Sequence, residues 1–339
     1  MDLVTRVLGA AAAIAIALTA GESAAQGDYA MAKEEGKVTL YTGQPIDRVQ
    51  KIVDGFKSKY PGIDVDFLRA DTRKYAQRFE SETASGRHVA DAILATTITT
   101  HRWGDKFIEA YISPEAADYP PELMDPMGLS NTFGINTTSF AWNTDRVKED
   151  EVPKTWDDLL DPKWKGKIGM QDPTGRGGAY TWTVTMYERW GEAKWLDYLQ
   201  RLAAQEPKYG RYMQVREMVM SGEVALHFAA YPDFTEPVKK KGAPVDWAAP
   251  SEVVFVGLST NLSKNAPNPN AGKLLIDYVL SDEGQKLLGE TGMIPAKPEF
   301  RPGAFQRLNT VTLLPSKLAK EVKSPEFFRD KLREIFGAR

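Results

Sequence analysis

The chain has 339 residues with 43 basic and 46 acidic side chains, a net charge of −3, and no cysteine. That balance argues against nucleic acid as a partner and against an acidic disordered tail, and the missing cysteine excludes disulfides, thiolate metal sites and cysteine nucleophiles. The length suffices for two domains with cores of their own.

The chain opens on an apolar run of small residues, Val7–Ala20. At about 14 residues it is shorter than the roughly 20 that span a bilayer. Ser23-Ala24-Ala25 follows with small residues where a signal peptidase cuts. Residues 1–25 are therefore expected to be a signal peptide, and the mature chain to work in the periplasm, a compartment that suits a cysteine-free exported protein. A buried N-terminal helix is the competing reading.

Lys37–Thr42 reads as a strand ending at Gly43. Ile46, Val49, Ile52, Val53, Phe56 and Tyr60 then recur at helical spacing until Pro61-Gly62. Ile63–Leu68 alternates as a second strand, so a parallel βαβ unit is expected. A helix over Arg73–Ser85 and a buried strand over Ala90–Ala95 come next, with Thr96-Thr97 just past its end. Ligands of open parallel sheets lie beyond the carboxyl ends of strands, which marks Thr42-Gly43-Gln44 and Thr96-Thr97 as candidates; Thr and Gly also simply make turns.

Ser113–Pro126 reads as a Pro-rich surface stretch and Phe133–Asn143 as one long strand. A second α/β block follows. Its expected strands are Lys167–Met170, Val224–Phe228 and Val253–Leu258. Its expected helices are Gly178–Trp190, Glu192–Leu202, Val215–Met220, Asn270–Leu280 and Asp282–Leu288.

Several segments together go past generic α/β: EEGKVTLYTG, FKSKYPGIDVDF, ETASGRHVADAI, FGINTTSFAWNTDRV, VPKTWDDLLDPKWKGKIGMQDPT, MSGEVALHFAAY and NAGKLLIDYVLSDEGQKLL. In this order the chain resembles the extracellular solute-binding proteins of ABC importers, specifically the group typified by ferric-iron-binding proteins. The resemblance implies a type II periplasmic binding fold, in which two α/β lobes, each a mostly parallel sheet flanked by helices, are joined by two crossing strands. The crossings map to Phe133–Asn143 and Val253–Ser259. Lobe one would be residues 28–133 plus 258–315 and lobe two 134–257, with a helical segment at 316–339 assigned to neither. A small-molecule ligand would sit in the cleft, hinge closure would bury it, and an inner-membrane ABC permease would recognise the closed form. A monomer is expected, with no cofactor and no resident metal.

In the iron-binding members the resemblance implies two adjacent tyrosines, helped by a histidine in the first strand–helix loop and a glutamate opening the second helix. Here Pro45 falls at the histidine position and Arg73 near the glutamate. His227-Phe228-Ala229-Ala230-Tyr231-Pro232-Asp233 covers the paired tyrosines and keeps only Tyr231. Trading a carboxylate for a guanidinium turns a cation trap toward an anion trap, because Arg offers a planar donor fork to carboxylate or phosphate.

Asp172-Pro173-Thr174-Gly175-Arg176-Gly177-Gly178 supplies a glycine-rich turn before a helix, where backbone N–H groups and the helix N-terminus favour an anion. The expected ligand is a small organic anion bearing phosphate, phosphonate or carboxylate. The expected contacts are Thr42, Gly43, Gln44, Arg73, Thr96, Thr97, Thr174, Gly175, Arg176 and Tyr231, with Asp233 beside the last. Each has a bland alternative: Arg73 as a solvated helix residue, Thr174 as a helix cap, Tyr231 as half-buried packing. Tyr180 and Trp182 read as core.

Ferric iron on Tyr231 with a synergistic anion is the second reading. His88, His101 and His227 form no metal-binding pair and read as structural. A periplasmic hydrolase is the third reading, disfavoured because no Gly-x-Ser-x-Gly and no metal cluster occur; the protein is expected not to be an enzyme.

Overall fold

The expected βαβ unit forms the start of a larger sheet. In a computed structural model, which describes residues 29–175, 177–316 and 322–337, a helix covers residues 29–35 (α1). β1 (Lys37–Thr42) leads through α2 (Ile46–Lys59) to β2 (Asp64–Arg69), parallel to β1 with Leu40 opposite Phe67. The helix buries Val49, Ile52, Val53 and Phe56, the i, i+3, i+4, i+7 face predicted from spacing. α3 (Thr72–Ala84) and β3 (Ala92–Thr96) follow, and β3 lies parallel to β1 on its other side. The expected signal peptide and Arg176 lie outside the described residues.

The second block repeats the plan. β7 (Ile168–Gln171) leads through α5 (Gly178–Trp190) and α6 (Glu192–Ala204) to β8 (Lys208–Gly210), then through α7 (Tyr212–Met220) to β9 (Leu226–Ala230). β7 pairs in parallel with both β8 and β9. Each sheet is therefore a parallel triad extended by antiparallel strands. The first sheet adds β11 (Glu252–Ser263) against β3, with β4 (Ile108–Glu109), β5 (Asn131–Thr137) and β12 (Thr312–Pro315) on β11. The second adds β6 (Ser139–Asn143) and β10 (Val245–Ala248).

The single strand expected over Phe133–Asn143 is broken. β5 belongs to the first sheet, β6 to the second, and Thr138 stands between them. Almost every residue on both sides is buried, so no change of periodicity marks the switch. The second passage also departs from expectation. β11 stays in the first sheet for its whole length, and the chain crosses in the short link between β10 and β11. The two passages are tied together, since Thr138 N–H donates to the Val254 carbonyl at 2.8 Å.

Ser113–Pro126 is not merely surface. It turns through short 3-10 segments that bury Ala116, Tyr119 and Leu123, and the Tyr119 hydroxyl donates to the Leu280 carbonyl at 2.8 Å. The TWDDLL block serves the second core. The Trp156 ring lies 4.6 Å from Phe140, 5.0 Å from Trp182 and 5.3 Å from Phe228, and its indole N–H donates to the Glu252 carbonyl. α8 (Pro232–Lys240) follows β9. α9 (Pro269–Leu280) and α10 (Asp282–Glu290) cover the first sheet, whose core they share. α11 (Pro325–Phe336) sends Phe328, Leu332 and Phe336 into the second core.

Candidate functional site

Thr42 and Thr96 end neighbouring parallel strands and so lie at the same edge of the first sheet. Both hydroxyls are spent locally. Thr42 Oγ1 accepts the Gln44 N–H at 3.0 Å, and Thr96 Oγ1 caps α4 (Thr97–Trp103) by accepting the Thr99 N–H at 3.2 Å. Gly43 permits the close approach of α3, because a Cβ there would fall 2.8 Å from Thr72 Oγ1. Arg69 Nε donates to the Gln44 carbonyl, which holds this loop to the end of β2.

Asp71 caps α3 by accepting the Arg73 N–H at 3.0 Å, and the Arg73 side chain is exposed. Thr97 faces the passage strands, where it lines a cavity of about 250 Å³ with Ser130, Thr132, Phe255 and Ser316.

The carboxyl edge of the second triad is built differently. Thr174 directs both its N–H and its hydroxyl to Asp172 Oδ1, at 2.9 and 2.8 Å, and the Gly175 N–H goes to the Asp172 carbonyl. The hydroxyl expected to reach a ligand is thus closed into an Asx turn, and the N-cap of α5 is Gly177, not Thr174. Gln171 Oε1 accepts the Gly178 N–H at 3.0 Å.

Gly178 is glycine for a packing reason. A Cβ there would fall 2.6 Å from the Ala229 carbonyl oxygen and 3.2 Å from the Tyr231 hydroxyl. Tyr231 therefore lies against the start of α5.

Tyr231 is held from behind. Its N–H donates to the Tyr212 hydroxyl at 3.1 Å, and its ring lies 5.0 Å from that of Tyr212. Tyr212 lies 5.1 Å from His227 and 5.5 Å from Phe234, so an aromatic stack runs from the strand interior to the rim. Burial holds His227 neutral, its pKa pushed down to about 3, which fits the structural role expected of it. Burial, helped by Asp233, pushes the Tyr231 phenol up to about 12. Asp233 is 8 % exposed, and burial raises its carboxyl to about 6 against the opposing pull of Arg48.

Arg48 belongs to the first turn of α2, on the other sheet. Its charge opposes the rise of the Asp233 carboxyl at the end of the second sheet. Sequence reasoning missed Arg48, Gln171 and Tyr212. Arg48 carried a signal, since a cation in the first turn of a helix opposes the macrodipole and needs another reason to be there. Arg73 sits in the equivalent turn of α3 but points to solvent.

The adjacent-phenol arrangement of iron sites is absent among the described residues. Ala230 occupies the neighbouring position, fully buried opposite Ser139. The second phenol, Tyr212, comes from α7 with its oxygen already accepting a backbone N–H. No cluster of three or more His, Asp or Glu side chains suited to a metal occurs among the described residues.

Known proteins share this architecture. A family profile for bacterial extracellular solute-binding proteins matches residues 51–311. Iron uptake protein A2 of Synechocystis is 24 % identical over 275 residues, covering 75 % of each chain. The periplasmic binding protein AfuA of Actinobacillus pleuropneumoniae, solved with exogenous fructose-6-phosphate bound, superposes with a TM-score of 0.67 at 24 % identity, covering 90 % of this chain and 99 % of AfuA. A Bordetella ferric binding protein gives 0.75 at 17 % identity, covering 89 % of this chain and all of its own. The chain belongs to the bacterial extracellular solute-binding proteins, in the type II periplasmic binding fold of the ferric-iron-binding group.

Proposed function

We propose that this protein captures a small organic anion between the carboxyl edges of its two sheets in the periplasm and delivers it to an inner-membrane ABC permease. The observation that carries the reading is the Tyr231 hydroxyl packed against Gly178 at the start of α5, with the Arg48 charge acting on neighbouring Asp233 from the first sheet. A guanidinium, a phenol O–H and first-turn amides are all donors, and together they suit phosphate, phosphonate or carboxylate. Closure lets both edges contact the ligand at once, so the bound state favours the closed form. No bond need be made or broken, and recognition requires only satisfied hydrogen bonds. The cationic role first given to Arg73 passes to Arg48, because Arg73 is exposed and the Arg48 charge acts on Asp233.

The test is calorimetric titration of unfolded and refolded, ligand-free protein with fructose-6-phosphate, ethyl phosphate, propionate and ferric citrate. At least one organic anion is expected to bind. Arg48→Gln should weaken that binding tenfold or more, roughly the loss of one charge-assisted hydrogen bond, and Arg73→Ala should change it less than threefold. Binding of ferric citrate alone, with a red-orange colour from tyrosinate–iron charge transfer, would overturn the proposal in favour of iron on Tyr231.

A further inference from the structure

The two sheets are held together at a further place, beside the passages. The 3-10 segment Gly303–Thr310 leads into β12 and lies on the side of the first sheet. Arg301, 2 % exposed, anchors it there. Its guanidinium donates to the Pro295 and Ala296 carbonyls at 3.1 and 3.2 Å and to Asn309 Oδ1 at 2.9 Å. From this anchored segment Arg307 reaches β10 of the second sheet. Its Nη1 donates to Asp246 Oδ1 at 3.1 Å and to the Trp247 carbonyl, and its guanidinium lies 5.3 Å over the Trp247 ring. Phe305 packs on the same indole, with ring centroids 6.0 Å apart, and Trp247 is fully buried. A buried indole, a cation over its face and two hydrogen bonds make this more than a solvent-exposed ion pair.

The contact stands next to the crossing link. Asp246 and Trp247 immediately precede the residues that carry the chain from β10 to β11, and within that link the Ser251 carbonyl accepts the Thr312 N–H of β12 at 3.0 Å. Displacement in a hinged pair is smallest beside the axis, so a contact here survives a rotation that separates the cleft rims. The bond from Thr138 to Val254 is the other tie at the passages. Two tied points define a line and leave one rotation about it.

We infer that Arg307 is a positioning residue that sets the hinge axis, so that with the Thr138–Val254 bond it restricts closure of the two sheets to rotation about one line. The same part of the second sheet carries the candidate site. Trp247 Nε1 donates to Glu236 Oε1 at 2.6 Å, and Lys239 Nζ lies 2.8 Å from Asp246 Oδ1. Glu236 and Lys239 belong to α8, whose first turn holds Asp233 and whose N-cap is Tyr231. The axis therefore decides where the Tyr231 edge meets the first sheet. This rests on the proposed closure and is independent of which solute is bound.

The chain has no cysteine, so Lys51→Cys on α2 and Gln200→Cys on α6 accept one spin label on each side of the hinge. Pulsed electron resonance then gives the distance distribution of the ligand-free protein. Arg307→Met keeps a stem over Trp247 and removes the donors; it is expected to widen the distribution about twofold or more, and Arg307→Lys, which keeps the charge without the fork, is expected to widen it less. An unchanged width in Arg307→Met, with only a lower denaturant midpoint, makes Arg307 an ordinary stabilising contact and overturns the inference. Asp246→Ala removes the same tie from the other sheet and decides the question where Arg307→Met fails to fold: widening supports the axis and an unchanged width overturns it. Closure itself is read separately, from the mean distance after adding whichever of fructose-6-phosphate, ethyl phosphate or propionate binds. A mean that does not move overturns closure, and the axis with it, whereas a mean that moves with unchanged widths overturns the axis alone.

Discussion

The two carboxyl edges start from the same plan, a parallel triad of strands followed by loops and helix N-termini, and are finished in opposite ways. On the first sheet the polar side chains of the loops turn inward on their own backbone, as Thr42 and Thr96 do, while Arg73 stands outward and Ile46 is 62 % exposed. On the second sheet the polar groups are sunk into packing. Tyr212, His227 and Tyr231 form one aromatic stack, Asp233 is buried two residues on, and Gly178 is pressed against Tyr231. In the proposed reading the second edge receives the ligand, and the first adds donors only when the edges meet. Contacts that exist in one state alone are what allow a ligand to drive closure.

The largest expected effect breaks the second edge. Trp182 is fully buried in α5 between Trp156, Tyr198 and Phe228, and α5 carries Gly178. Trp182→Ala should cost about 3–5 kcal/mol in denaturant unfolding, whereas Ile46→Ala, on the exposed rim of the other edge, should stay within about 0.5 kcal/mol. Equal losses would mean that the two edges are equally packed and that the contrast is false.

Asp233 sharpens the comparison through pH. Its carboxyl is raised by burial to about 6 in the folded chain, against a value near 4 when unfolded. The folded state therefore holds this proton more tightly, and stability is fully present below about pH 4 and lost as pH rises through about 6. Asp233→Asn cannot ionise. Relative to the wild type it should gain roughly 2–3 kcal/mol between pH 4.5 and 7.5, read from denaturant midpoints at each pH. A flat difference would mean that the carboxylate is already satisfied in the folded chain.

How much of this was legible follows from what each feature depends on. β1, α2 and β2 depend on local periodicity, and their spacing in the sequence marks them. Trp182 could be assigned to core because its helix is apolar on most sides. The switch at Thr138 could not be seen, because burial is continuous from one sheet into the next. Thr174 was readable in principle, since an Asp two residues earlier competes for its hydroxyl. Arg48 was the hardest, because its charge acts on Asp233, which is remote in sequence and on the other sheet. Local patterns reveal elements, and a site between two sheets is a property of how those elements are placed.

The smallest expected effect concerns how Tyr231 is aimed. β9 carries one residue more than β6 between the pairs Ser139–Ala230 and Ala141–His227, a bulge that puts buried Ala229 at φ +56°. An L-residue in that region is strained by roughly 1–2 kcal/mol, and strain of this kind gathers where a side chain is being redirected. Glycine would relieve it, at a loss of about 0.5–1 kcal/mol in chain entropy and about 0.8 kcal/mol for one buried methyl. Ala229→Gly should therefore stay within about 0.5 kcal/mol of the wild type. Ala230→Gly, next along the same strand and equally buried but unstrained, should lose roughly 1–2 kcal/mol. The gap between the two variants measures the strain that turns Tyr231 toward Gly178. If both lose equally, the turn is held by the Tyr212–Tyr231 hydrogen bond alone, and the fixed edge owes its shape to the aromatic stack, not to the backbone.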